Sequence, residues 1–191
     1  MNTDTTSQFF FDQKYRRNSD PWNFATSEYE RARYATILRV LNGRRYSRAL
    51  ESGCSIGVLS AQLAAQCDHL ECIDFSPAAI SMARERCRNI SNITFTCASI
   101  LDFASPGPFD LIVFSEIGYY FDAETLFALA QRLVSHLAND GIFLAEHWLG
   151  VSDDHVLGGQ RVHEILSNIP ALRHQHGEIH PHFQLDRWRR L

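Results

Sequence analysis

Glu51-Ser52-Gly53-Cys54-Ser55-Ile56-Gly57 gathers one acid and several small residues where a short apolar run ends. Small residues at such a turn let backbone approach a ligand closely. Gly53-Cys54-Ser55-Ile56-Gly57 has the spacing of a nucleophile elbow, in which a tight strand-to-helix turn exposes a serine. Asp110 and His147 would complete the triad on paper. An elbow, however, follows several strands, one of which supplies an oxyanion loop, and a single strand precedes it here. The dinucleotide spacing GxGxxG, started at Gly53, puts Ser55 and Val58 where its second and third glycines belong. A side chain at the second position keeps the backbone away from a pyrophosphate. A P-loop is excluded, since the only lysine, Lys14, lies far from any glycine-rich turn.

An acid followed by alternate small residues remains, with Glu51, Gly53, Ser55 and Gly57 in its four positions and serine standing for one glycine. This pattern resembles the nucleoside-binding loop of class I S-adenosyl-L-methionine-dependent methyltransferases. Their ligand has no phosphate, so its loop needs close backbone packing and no anion nest. Its ammonium and sulfonium favour a carboxylate nearby, which Glu51 supplies. Asp74 stands 23 residues beyond Glu51, close to the separation of about 20 at which a carboxylate meets ribose hydroxyls. A carboxylate only accepts, which suits a vicinal diol. The alternative for Asp74 is a turn or helix-capping acid. Phe75 is placed to pack on the adenine. Ser99, with Ile100, falls where this class often carries an acid that reads the adenine amine, and a hydroxyl is a weaker acceptor there.

Positioning these residues requires strands that end at them. Ser47 to Glu51 reads as the first strand, Val58 to Cys67 as a helix and Leu70 to Phe75 as the second strand. Ser76-Pro77 starts a helix to about Arg88, because serine caps free amides and proline lacks the amide that would go unpaired. Ile93 to Cys97 and Phe109 to Phe114 follow as strands, the latter almost wholly apolar, as a doubly covered parallel strand must be. Asp122 caps a helix through Leu126, Leu129, Leu133 and Leu137, and Asn139-Asp140-Gly141 turns the chain into the strand Ile142 to Glu146. A helix at Gln160 to Leu166 and strands at Leu172 to His176 and Phe183 to Trp188 complete the pattern. Before it, a polar, aromatic-studded lead-in passes Asp20-Pro21-Trp22, and Ser27 with Glu30 forms a capping box for a helix that Gly43 ends. The alternation predicts an α/β fold, a doubly wound, seven-stranded, mostly parallel, Rossmann-like sheet preceded by N-terminal helical structure. The division expected is residues 1–46 as the N-terminal segment and helix packed on the core, and residues 47–191 as the α/β domain, within a single domain overall. Ligands bind such sheets at the carboxyl ends of the strands.

The chain resembles the family of bacterial methyltransferases related to nodulation protein S. The matching stretches are Asp20-Pro21-Trp22, Tyr29-Glu30-Arg31-Ala32-Arg33, Ala49 to Gly57, Phe109 to Val113, Ser115-Glu116 and Tyr119-Tyr120, with Gln184 to Trp188 more loosely. The resemblance implies methyl transfer from S-adenosyl-L-methionine to an amine, in the founding member the free amine of a deacetylated chitooligosaccharide. It also implies a lid containing Trp22 and Arg33, with Arg33 facing the methionyl carboxylate as a bidentate fork. The alternative for Arg33 is a solvated helix charge.

Methyl transfer is an in-line displacement, so the protein must hold nucleophile, methyl and sulfur collinear and deliver the amine unprotonated. Ser115 lies at the edge of the cofactor crevice. Glu116 is placed to orient an amine, and Tyr119 and Tyr120 to offer ring faces to a sugar or to the sulfonium. His147 directly follows the predicted strand Ile142 to Glu146 and is the proton acceptor of choice, with a structural histidine as the alternative. The His174, His176, His180 and His182 group lacks a framing acid or cysteine pattern, so no metal is expected. Arg187, Arg189 and Arg190 read as a solvated tail.

The 191 residues fit one domain, 45% hydrophobic, enough for a core. A net charge of −4 gives no general pull toward nucleic acid or anionic lipid, so a small-molecule partner is expected. Cys54, Cys67, Cys72, Cys87 and Cys97 form no CxxC pair and read as buried reduced thiols. With neither a signal pattern nor an apolar run near the roughly 20 residues of a membrane helix, a cytoplasmic protein is expected. A rival from another class is a module that binds S-adenosylmethionine or its demethylated product without catalysis.

Overall fold

The computed structural model describes residues 6–41 and 43–191. Two compact units divide the chain, Met1–Ser47 with Gly53–Phe103 and Arg48–Ser52 with Ala104–Leu191. Its strands are β1 (Tyr46–Ser52), β2 (Cys67–Asp74), β3 (Ile93–Cys97), β4 (Phe109–Ser115), β5 (Leu137–Trp148), β6 (Leu172–Ile179) and β7 (Phe183–Arg190). They form a seven-stranded sheet in the order β3-β2-β1-β4-β5-β7-β6. The order reverses between β1 and β4, the switch point at which doubly wound sheets hold ligands. The β2–β3, β1–β4 and β4–β5 pairs are parallel, and β7 runs antiparallel to β5 and β6. The expected doubly wound, mostly parallel sheet is the observed one.

In the first unit, α1 (Gln8–Arg17), α2 (Glu28–Val40), α3 (Val58–Leu63) and α4 (Pro77–Arg86) accompany β2 and β3. The capping chemistry read from the sequence is present. The side chain of Ser27 accepts from the Glu30 amide and that of Ser76 from the Ala79 amide, with Pro77 at the head of α4. Gly43 takes left-handed backbone just beyond α2. Helix α1 was not anticipated. Its buried side are only Phe11 and Tyr15, one turn apart, and the run Phe9-Phe10-Phe11 obscures that spacing. Helix α3 is shorter than expected, because a 3-10 turn at Ala64–Gln66 tightens its end and lets Cys67 begin β2 three residues before Leu70.

The second unit packs α5 (Ala123–Ser135) and α6 (Gly159–Ser167) with β4 to β7. Leu126, Leu129, Ala130, Leu133 and Val134 make the buried stripe of α5, at the spacing of one helix face. Phe109, Phe114, Phe143 and Trp188 are fully buried large side chains of this core, each worth roughly 1.5–3 kcal/mol relative to exposure. Asn139-Asp140-Gly141 is not a turn between elements. Phe109 pairs with Leu137 and Leu111 with Ile142, so two steps on β4 face five on β5 and the segment bulges within one long strand. Asp140 has φ 61° there. Arg187, Arg189 and Arg190 are not a solvated tail but belong to β7. Arg190 donates to the Ser135 carbonyl, and Arg189 pairs with Asp140 at 3.0 Å. Four cysteines are buried as expected, while Cys97, at the end of an exposed edge strand, is not.

Candidate active site

Three residues of the turn after β1 have positive φ: Gly53 at 76°, Ser55 at 50° and Gly57 at 77°. Glycine adopts this backbone freely, whereas Ser55 does so at a cost of about 1–2 kcal/mol. Hydrogen bonds hold the turn against the end of β2. The amides of Gly53 and Cys54 both donate to the Ile73 carbonyl, at 2.8 and 3.0 Å. The Ser55 amide donates to Asp74 Oδ2, and the Ser76 amide to Asp74 Oδ1, both at 2.9 Å. Asp74 therefore is a turn acid, with lone pairs on each oxygen left over for further donors. Burial pushes its carboxyl up to about 6, against the amide bonds from Ser76, Ser55 and Phe75 that favour the charged form. Gly57 has a second constraint, since a Cβ there would lie 3.0 Å from that of Ala83 on α4.

Helix α1 touches the same region, which no sequence signal singled out. Tyr15 donates its hydroxyl to Ser55 Oγ at 2.6 Å, and Gln8 donates to the Phe75 carbonyl at 2.5 Å. Asp12 Oδ1 accepts from the Ser76 hydroxyl and the Ala78 amide, both at 3.0 Å, so it caps α4 from another helix. Burial opposes the charge on Asp12, but bonds from Arg16, Ala78 and Ser76 outweigh it and hold the carboxyl below its usual range. Gln8, Asp12 and Tyr15 stand at positions i, i+4 and i+7, and that polar stripe was the available clue. Trp22 packs with Tyr15, Ile56 and Ala79, and its ring lies 5.5 Å from that of Tyr15. Phe75 meets Phe11 at 5.5 Å. Asp20 accepts from the Phe24 and Ala25 amides, which explains the acid in the Asp20-Pro21-Trp22 segment.

The other candidate cofactor residues of this unit have partners within the protein. Arg33 is 1% exposed, so it is not a solvated charge. Its Nε donates to Glu30 Oε2 at 2.9 Å, and Nη2 donates to the same oxygen. Ser99 Oγ accepts from the Leu101 amide at 3.1 Å, and Ile100 is buried beside it.

In the second unit, the register places the carboxyl ends of three parallel strands on one sheet edge. Glu51 and Ser52 face Val113 and Phe114, and Ser115 faces Glu146. Glu51 is buried, and Ser52 Oγ donates to the Val113 carbonyl at 2.9 Å. Ser115 Oγ donates to Glu146 Oε2 at 2.9 Å. Glu116, at φ 61°, donates its amide to the Glu146 carbonyl and accepts from the Trp148 amide at 2.6 Å. A 3-10 turn, Gly118–Tyr120, follows. Tyr119 is buried and stacked on His155 at 3.7 Å, and the half-buried Tyr120 meets Tyr119 edge-on at 4.8 Å.

His147 is not the open-ended base its strand position suggested. It is fully buried, its Nε2 accepts from the Gly118 amide at 3.0 Å, and its Nδ1 lies 3.2 Å from His163 Nε2. His163 Nδ1 in turn lies 2.6 Å from Asp186 Oδ2. A backbone N–H only donates, so His147 Nε2 carries no proton and the pair it would use as a base is already engaged. Asp110, the acid of the paper triad, accepts from the Arg48 amide at 2.9 Å. The hydrolase constellation is therefore not assembled. His176 on β6 and His180 just beyond it both bond Glu178, and among the described residues no group of His, Cys, Asp and Glu converges as metal ligands. Among the described residues, no helix is long and apolar enough to cross a membrane.

Comparison with known proteins adds an independent observation. Residues 8–169 match the family model of nodulation protein S. The chain is 39% identical over 125 residues to nodulation protein S of Bradyrhizobium diazoefficiens, covering 63% of this chain and 59% of that protein. With the Rhizobium tropici protein the identity is 31% over 160 residues, covering 78% and 65%. The matches thus span about three fifths of these relatives' length. The crystal structure of the N-methyltransferase NodS from Bradyrhizobium japonicum WM9 in complex with S-adenosyl-L-homocysteine is similar with a TM-score of 0.85. Identity to it is 29%, with 96% of this chain and 98% of that one covered.

Proposed function

Because the chain belongs to the nodulation protein S family, we propose that it transfers the methyl group of S-adenosyl-L-methionine to an amine nitrogen of a small acceptor. The acceptor class we assign is an amino sugar, such as the terminal residue of a deacetylated chitooligosaccharide. We place the protein in the cytoplasm and read residues 1–46 as the lid over its cofactor.

The observation that carries this reading is the Gly53–Gly57 turn clamped to Asp74. Its chemistry fits an adenosyl ligand. Asp74 keeps acceptor capacity beyond its bonds to the Ser55, Ser76 and Phe75 amides, which suits a ribose diol, and with its carboxyl near 6 it is mostly ionised at neutral pH. The positive-φ turn brings backbone close without offering a phosphate nest. Trp22 and Phe75 add aromatic surface from the same unit. When bound, S-adenosylmethionine supplies an electrophilic methyl on a positively charged sulfur.

The chain's own contribution is orientation. Glu116, propped by the Trp148 amide, is the residue we assign to hold the acceptor amine, with the Tyr120 ring as a surface for the sugar. With Nε2 of His147 engaged by the Gly118 amide, we assign this ring no role as base, and the amine sheds its proton to solvent before attack. Holding the amine at near-attack distance supplies most of the rate enhancement such a displacement needs.

Titration calorimetry with S-adenosylhomocysteine, followed by mass spectrometry of glucosamine oligomers incubated with S-adenosylmethionine, tests this reading. A gain of one methyl on the amine is expected. Binding without methylation of any amine in a panel would replace the enzyme by a binding module.

A further inference from the structure

Behind the Glu116–Tyr120 loop runs a buried row of polar groups that the reaction does not consume. It starts at the Gly118 amide, passes through His147 and His163, and ends on Asp186. Resting on the function proposed above, we infer that His163 and Asp186 are positioning residues that fix the acceptor-side loop by fixing the tautomer of His147.

The direction of every proton in the row follows from its first member. The Gly118 amide can only donate, so His147 Nε2 is the acceptor and the ring proton sits on Nδ1. That proton points to His163 Nε2, which must accept, so His163 carries its own proton on Nδ1 and donates it to Asp186 Oδ2. Asp186 also receives Gln184 Nε2 at 2.7 Å and, on Oδ1, His174 Nε2 at 2.6 Å. Burial opposes the charge on Asp186, but the bonds from His163, His174 and Gln184 outweigh it and hold the carboxyl below its usual range. An ionised end fixes the polarity of the whole row.

The other end of the row seats the loop. A Cβ on Gly118 would lie 2.8 Å from His147 Nε2, 2.5 Å from Val162 Cγ1 and 3.0 Å from Phe114 Cε1. Only glycine lets the backbone rest on the ring so closely. Glu116 stands two residues before this seat and Tyr120 two residues after it. Tyr119, between them, lies 5.5 Å from the His147 ring. A second proton on His147 would aim N–H at N–H across the 3.0 Å contact and release the seat. A second proton on His163 would remove the acceptor that His147 needs.

The titratable groups around the row come from every neighbouring element. Tyr119 belongs to the 3-10 turn, His155 stacks on Tyr119, His163 is on α6, Asp186 on β7 and His174 on β6. His174 is half-exposed, so solvent protons reach the row at the Asp186 end. Glu146, next to His147 in the chain, is occupied by Ser115.

The test compares His163→Leu with His163→Gln. Glutamine can accept from His147 with Oε1 and donate to Asp186 with Nε2, keeping the polarity, whereas leucine removes both functions. The expected result for His163→Leu is a fall of about tenfold or more in kcat, with affinity for S-adenosylhomocysteine changed less than about twofold. His163→Gln should recover most of the lost turnover. Equal turnover in wild type and His163→Leu, or equal loss in both variants at wild-type fold, would overturn the inference.

Nitrogen-15 NMR of the wild-type imidazoles reads the same claim without turnover or substitution. His147 protonated on Nδ1 and bare on Nε2 is expected, and the reverse tautomer would overturn the row. Absence of methyl transfer in the wild type would instead defeat the proposed function, leaving the NMR result to judge the row.

Discussion

Affinity for S-adenosylhomocysteine, followed by calorimetry from about pH 7.5 down to about pH 5, reports on Asp74. Its carboxyl titrates near 6 in the free protein because burial penalises the charge more than the amides of Ser76, Ser55 and Phe75 favour it. A ribose diol donates, so it needs the ionised form. With binding confined to that form, the apparent Kd rises by a factor of one plus the ratio of protonated to ionised Asp74. That factor is about 1.1 at pH 7 and about 11 at pH 5, or about 1.4 kcal/mol between them. Folding carries the opposite sign. A carboxyl raised from 3.8 to about 6 contributes stability that is full below about 3.8 and is lost as pH rises through about 6. Asp74→Asn keeps the shape but should flatten the affinity profile. It also sets an NH2 against the Ser55 or Ser76 amide, which costs about 1–3 kcal/mol of stability by urea denaturation. Wild-type affinity flat across this range, or unchanged affinity in a folded Asp74→Asn, would remove Asp74 from the ribose site.

Other substitutions check the surrounding packing. Gly57→Ala forces a side chain into left-handed backbone and to within 3.0 Å of Ala83 Cβ. A loss of about 1–3 kcal/mol in thermal unfolding is expected, and an unchanged Tm would contradict the tight α3–α4 approach. Arg33→Met leaves the Glu30 carboxylate buried without its main partner and should cost about 3–5 kcal/mol, while Arg33→Met with Glu30→Leu should regain most of it. Urea curves showing the single variant to be as stable as the wild type would make the pair irrelevant to folding. Tyr15→Phe deletes the hydroxyl bond to Ser55 and should cost about 0.5–1.5 kcal/mol by denaturation. A weaker grip on S-adenosylhomocysteine should accompany it, and wild-type values for both would detach α1 from the turn.

Local chemistry made much of this fold readable before any coordinates. Ser27, Ser76 and Asp122 each cap the helix their position announced, and the apolar run from Phe109 is a central buried strand. Glycine spacing after β1 likewise marked the turn with positive φ, and Asp74 proved to be bonded to it. What escaped the reading depends on contacts distant in sequence. Helix α1 shows only Phe11 and Tyr15 inward, and its polar residues matter through partners more than 35 positions away, such as Ser55 and Ser76. The bulge at Asp140 follows from the pairing of β5 with β4, which no local pattern encodes. His147 was visible at a strand end, but its role depends on Gly118, His163 and Asp186, brought to it by three other elements. Nearer in sequence, the burial of Arg33 against Glu30 is not announced by the capping box that Glu30 also serves, and it removes the solvated-charge alternative.

A crystal structure with S-adenosylhomocysteine bound measures the central claim directly. The account predicts both ribose hydroxyls within about 3 Å of the Asp74 carboxylate, with the ligand lying along the Gly53–Gly57 turn. Ligand bound elsewhere on the chain, with Asp74 joined to backbone amides and to no ribose hydroxyl, would contradict it.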